Sequence, residues 1–108
     1  MKKLFVLLAC SGGMSSGFLA NNIRKAAKKR NLEIDVVARS EFEVEGYLDQ
    51  IDVLLYAPHL KYLENEFKAK CDPKGIPVSI IEQAVYGMID GEKCLDIIVS
   101  LLERKGKL

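Results

Sequence analysis

The sequence predicts an α/β fold: a single domain with an open four-stranded parallel sheet, order 2-1-3-4, and helices on both faces. Three observations carry that expectation. Short apolar runs alternate with longer amphipathic stretches in a βαβαβαβα succession. Two of the runs, residues 4–10 and 53–57, are almost unbroken, as strands covered on both faces must be. The chain has 108 residues, 49% of them hydrophobic, which is enough for one core and too little for two. Residues 1–108 are therefore read as one domain. Helical crossovers make neighbouring strands parallel, and their right-handedness leaves few strand orders.

Each element has its own signal. Residues 3–9 form the first buried strand. Residues 15–30 read as a helix, with Leu19, Ile23, Ala26, Ala27 and Arg30 at helical spacing. Residues 32–36 alternate strictly, which predicts a half-exposed edge strand. Ser40 and Glu43 make an S-x-x-E capping box that opens a short helix, weakened by Gly46. Residues 53–57 are the next buried strand, stopped by Pro58. Leu60, Leu63, Phe67 and Cys71 mark one face of a helix that Asp72-Pro73-Lys74-Gly75 closes. Residues 78–81 supply the fourth strand. Asp90 caps a last helix whose stripe is Cys94, Leu95, Ile98, Leu101 and Leu102.

Charge and cysteine usage narrow the function. Sixteen basic against fifteen acidic side chains give a net charge of +1, which argues against nucleic acid as a partner. No apolar run approaches the roughly 20 residues that span a bilayer. Three cysteines without a CxxC pair fit a reducing, cytoplasmic compartment. Met1-Lys2-Lys3 and the apolar residues after them imitate a secretory start, with Leu7-Leu8-Ala9-Cys10 resembling a lipoprotein box. Six apolar residues are fewer than the roughly 7–15 of a signal core, and cleavage would remove a strand the sheet needs.

The informative stretch is Cys10-Ser11-Gly12-Gly13-Met14-Ser15-Ser16-Gly17. It joins a buried strand to a helix at the end of the sheet where open α/β folds bind ligands. Gly12, Gly13 and Gly17 let the chain curl, and Ser15 or Ser16 can cap the helix. Backbone N–H groups at the positive end of a helix dipole then make an anion cradle with a sulfur at its floor. The same donors suit the three free oxygens of a phosphoryl group on that sulfur, so the pattern points to covalent phosphoryl transfer. A buried structural cysteine before an ordinary glycine-rich turn is the plain alternative.

Near misses sharpen the assignment. Gly12 to Gly17 match half of a Walker A loop, but Phe18-Leu19 stand where Lys and Ser/Thr belong. No G-x-G-x-x-G is present. Cys-x5-Arg phosphatases carry an arginine where this chain has Ser16, and without that guanidinium the cradle suits a relay better than a hydrolase. A small cysteine phosphatase, an arsenate-reductase-like enzyme and a non-catalytic anion-binding module are the competing assignments.

On the segments Cys10 to Ser16, Asp52 to Pro58 and Tyr86 to Gly91, the chain resembles a known family over nearly its whole length. That family is the IIB component of the bacterial sugar phosphotransferase system, lactose/cellobiose (chitobiose) type. The resemblance implies that Cys10 takes a phosphoryl group from a phosphohistidine on a IIA partner. Cys10 would then pass it to a disaccharide, cellobiose or chitobiose, held by the membrane partner IIC. It also implies that Ser11, Gly12, Gly13, Met14, Ser15 and Ser16 hold the phosphate. The family often has Gly-Pro-Gln where this chain has Ala57-Pro58-His59.

Pro58, His59, Tyr86 and Gly87 are candidate crevice or partner contacts. His59, the sole histidine, is either a donor to phosphate or a solvated loop residue. Tyr86 either lines the rim or packs on the core. Cys71 and Cys94 lie on apolar stripes and are expected in the core. The basic run Arg24, Lys25, Lys28, Lys29 and Arg30 is expected as a solvated face. No cluster has metal-ligand spacing, and neither metal nor cofactor is expected.

Overall fold

A computed structural model describes residues 3–11 and 14–108. In chain order the regular elements are β1 (Leu4–Cys10), α1 (Met14–Lys29), β2 (Ile34–Ser40), α2 (Val44–Tyr47), β3 (Val53–Tyr56), α3 (Glu64–Cys71), β4 (Val78–Ile80), α4 (Gln83–Gly87) and α5 (Gly91–Arg104). The four strands form one sheet in the order β2-β1-β3-β4, every pair parallel. This is the expected doubly wound architecture.

The unbroken apolar run of β1 is explained by its central place. Val6 and Leu8 face α1 and α5, packing with Leu19, Ile23, Leu95 and Ile98. Leu7 and Ala9 face the opposite layer, with Leu54, Tyr56, Leu60 and Phe67. Residues of both parities are buried, so period-2 alternation disappears. β2 sits at the sheet edge and keeps its alternation: Ile34 and Val36 are buried while Asp35 is half-exposed.

Several boundaries differ from expectation. β2 runs on to Ser40, beyond residue 36, because all seven residues of β1 pair in register with it, Leu4 with Ile34 through Cys10 with Ser40. Alternation fades after Val36, so pattern alone could not reach that far. The segments after β2 and β3 enter their helices through tighter 3₁₀ turns, Glu41–Glu43 and Pro58–Leu63. The Ser40–Glu43 capping box forms, with Phe42 N–H donating to Ser40 Oγ at 3.1 Å and Ser40 N–H to Glu43 Oε2 at 3.0 Å. Helix α4 was not anticipated; five residues are too few for a helical stripe.

Helix α1 begins at Met14, so Ser15 and Ser16 lie inside its first turn and neither is the residue that caps it. Its far end closes on Asn31 at φ +57°, with Leu32 N–H reaching back to the Ala27 carbonyl at 2.9 Å. Arg30 lies beyond the helix and pairs with Glu92 and Asp96 of α5, 2.8 Å each. That contact takes it out of the freely solvated basic face. Asp90 caps α5 as expected, accepting from Lys93 N–H at 3.1 Å.

Helices α1 and α5 meet tightly at Gly91. A Cβ there would lie 2.5 Å from the backbone carbon and oxygen of Asn22 in α1. Gly91→Ala must therefore push the helices apart, at a cost of about 1–3 kcal/mol. Urea unfolding will show it as a lower midpoint at unchanged slope.

Candidate active site

Cys10 ends β1, the strand flanked by β2 on one side and β3 on the other, at the point where the winding reverses. Its side chain is 3% exposed, and the thiol donates to the Arg39 carbonyl of β2 at 3.4 Å. The sequence placed the sulfur under donors; among the described residues its partner is an acceptor. Register is the reason. Cys10 pairs with Ser40, which brings its thiol within reach of the carbonyl of the preceding residue, Arg39.

Ser11 follows, exposed. Gly12 and Gly13, both assigned to the phosphate cradle, lie outside the described residues, as does the side chain of Met14. The first turn of α1 holds no acidic residue, so its positive end faces no anion of its own. Ser15 is exposed there and Ser16 is 1% exposed.

Two loops reach this segment from the other strands. Ala57 N–H donates to the Ala9 carbonyl at 3.0 Å, tying the exit of β3 to β1 one residue before Cys10. Tyr56 steadies that exit: its buried phenol donates to Glu64 at the start of α3, and burial, then that carboxylate, pushes its pKa well up. Pro58, half-buried, opens the 3₁₀ turn, where its missing N–H is no loss. His59 is exposed, with its Nε2 2.7 Å from Ser11 Oγ. Tyr86, in α4, is half-buried, with its OH 2.8 Å from Ser16 Oγ. The His59 and Tyr86 rings meet edge to face, centroids 5.9 Å apart.

The structure thus gathers Cys10, Ser11, Ser16, His59 and Tyr86. It gives Gly87, exposed at the end of α4, no bond into this group. Arg39 escaped the sequence reading, since only the register of β2 brings its carbonyl to the thiol. Its guanidinium turns elsewhere, Nε to Tyr47 OH at 2.9 Å and Nη1 to the Ala38 carbonyl at 2.8 Å. Among the described residues, no three His, Cys, Asp or Glu side chains gather as a metal site.

Residues 5–97 match the family model described as PTS system, Lactose/Cellobiose specific IIB subunit. The oligo-beta-mannoside-specific EIIB component of Bacillus subtilis (strain 168) is 31% identical over 102 residues, covering 94% of this chain and 97% of that protein. The lactose-specific EIICB component of Streptococcus mutans is 35% identical over 81 residues, 75% of this chain and 14% of that longer protein. A solution structure of the cellobiose-specific IIB component from Borrelia burgdorferi superposes with a TM-score of 0.79 at 33% identity, covering 96% of this chain and 95% of that one.

The other two cysteines are core residues, each fully buried. Burial, then Asp72, pushes the Cys71 thiol up to about 11; burial, then Asp90, pushes Cys94 up to about 12. At pH 8 the reactive thiolate is only about one part in a thousand at Cys71 and less at Cys94. Both fractions rise tenfold per pH unit. Iodoacetamide at pH 8 will therefore leave Cys71 and Cys94 unmodified in the native protein and alkylate both in denaturant, as peptide mass mapping will show.

Proposed function

The chain belongs to the lactose/cellobiose-specific IIB subunits of the phosphotransferase system, and from that premise we propose that Cys10 is its phosphoryl acceptor. IIB subunits are phosphotransferases. The observation that carries the proposal is Cys10's place: a sulfur at the end of a central strand, four residues before a helix whose first turn carries no acidic residue.

The donor is a phosphohistidine on a IIA protein. In the first step the thiol leaves the Arg39 carbonyl and gives up its proton. The sulfur pair attacks phosphorus, the S–P bond forms, and the P–N bond breaks with its pair retained by the donor imidazole, which takes up a proton. The amides of residues 11–16 and the hydroxyls of Ser15 and Ser16 hold the phosphoryl oxygens. In the second step a sugar hydroxyl on IIC attacks phosphorus and loses its proton. The S–P pair returns to sulfur, which is reprotonated and settles again on the Arg39 carbonyl.

Four exposed apolar side chains, Phe18, Phe42, Tyr62 and Met88, lie in segments that follow the carboxyl ends of the strands, the end that carries Cys10. Such a rim suits a surface that meets two proteins in turn. The relative that is named an EIICB component supports IIC as the acceptor's carrier. The sugar we propose is a β-linked disaccharide, cellobiose or chitobiose. No helix among the described residues is long and apolar enough to cross a membrane, and we place the whole chain, 1–108, as one IIB unit on the cytoplasmic face. The phosphatase alternative is not favoured, because the uncharged hydroxyl of Ser16 occupies the position of the guanidinium such enzymes use.

Cys10→Ser will abolish label uptake from phosphorylated IIA while leaving the circular dichroism and unfolding midpoint close to wild type. Cys71→Ala and Cys94→Ala will keep uptake. Normal labelling of the Cys10 variant would overturn the assignment, and steady turnover of p-nitrophenyl phosphate by wild type would favour the phosphatase.

A further inference from the structure

Two serines that follow Cys10 are each met by a ring from another loop. Ser11 Oγ is 2.7 Å from His59 Nε2, and Ser16 Oγ is 2.8 Å from Tyr86 OH. The two rings touch, 5.9 Å between centroids and 69° between planes. Ser11, His59, Tyr86 and Ser16 therefore form one chain of contacts. We propose that His59 and Tyr86 are positioning residues for the phosphoryl-holding loop, and that Tyr86 sets the direction in which the Ser16 hydroxyl donates. The proposal rests on the phosphocysteine reading above.

A hydroxyl has one hydrogen. When Ser16 gives that hydrogen to a phosphoryl oxygen, its own oxygen is left to accept, and Tyr86 O–H is the donor within reach. Ser16 is 1% exposed, so bulk water does not compete for that place. The phenol thus turns an ambiguous hydroxyl pair into a directed one, Tyr86 to Ser16 to phosphate. Direction counts here because Arg39, which meets the thiol through its carbonyl, has its guanidinium engaged with Tyr47 and the Ala38 carbonyl. A doubly charged group held by neutral donors depends on how well those donors are aimed beforehand.

Tyr86 is itself anchored to the helix that carries Ser16. Its loop turns through Ile89 at φ +50°, a costly conformation for a β-branched residue. Asn22 of α1 holds that turn, its Nδ2 donating to the Ile89 carbonyl at 2.9 Å, and Gly91 packs on the Asn22 backbone. The Tyr86 hydroxyl and its target therefore move as one body. At the other end His59 needs only a side-chain group that meets a hydroxyl, and a glutamine amide can do the same.

The test uses the full chain, phosphorylated by a IIA protein, as wild type and as Tyr86→Phe, His59→Ala and His59→Gln. Phosphocysteine lifetime at neutral pH is followed by intact mass, beside the melting temperature of each unmodified protein. Tyr86→Phe will still take label, but a Ser16 hydroxyl no longer aimed by the phenol holds the phosphoryl group less well and the lifetime will fall about tenfold. His59→Ala will shorten it several-fold and His59→Gln will restore it, with melting temperatures all but unchanged. In wild type, phosphorylation will shift the Ser11 and Ser16 amide resonances, and Tyr86→Phe will diminish the Ser16 shift. Lifetimes equal to wild type in both Tyr86→Phe and His59→Ala would overturn this proposal alone. Lifetimes that fall only in step with melting temperature would overturn it too. A wild-type chain that takes no label overturns the phosphocysteine reading, and this proposal with it.

Discussion

Everything at the functional end of the molecule depends on the parallel pairing of β1 with both β2 and β3. That double pairing buries β1 on both faces and both edges, and it fixes where the strand stops. Cys10 is the stopping point. Its two neighbours deliver the Arg39 carbonyl on one side and, through the Ala57 to Ala9 hydrogen bond, the loop of His59 on the other. A one-residue slip of either pair would turn the sulfur to the opposite face of the sheet.

The thiol is parked, not presented. It sits 3% exposed against a carbonyl while the hydroxyl of Ser11 stands in solvent beside it. Under the carrier role we propose for Cys10, this division has a physical logic. A buried sulfur meets little water or oxidant, and the hydrogen bond it would give up in that role is a weak neutral one from the thiol. The hydroxyls of Ser11 and Ser16, by contrast, are met by His59 and Tyr86 from two other connections.

Much of the architecture was legible in the chain. Continuous apolar runs marked the central strands, Ser40 and Glu43 marked a cap, and Asp90 marked the start of α5. The Cys-Ser-Gly-Gly-Met-Ser-Ser segment singled out the loop we propose as functional, because sulfur, glycines and hydroxyls there suit one chemistry. What stayed hidden is three-dimensional. No pattern announces that β2 runs to Ser40, since its last residues are held by pairing and not by burial. Nothing near Tyr86 in sequence signals a hydroxyl partner seventy residues away. Asn22 looks like an ordinary polar position on α1 until the turn at Ile89 is seen leaning on it.

The most direct test of the central claim is to locate the phosphate on the wild-type protein. After incubation with phosphorylated IIA, the chain is digested at neutral pH and its phosphopeptides are mapped. The account requires the group on the peptide containing Cys10, and requires that it leave when membranes bearing IIC and a β-linked disaccharide are added. Phosphate found on His59 or on a serine, or retained in the presence of sugar and IIC, would contradict it.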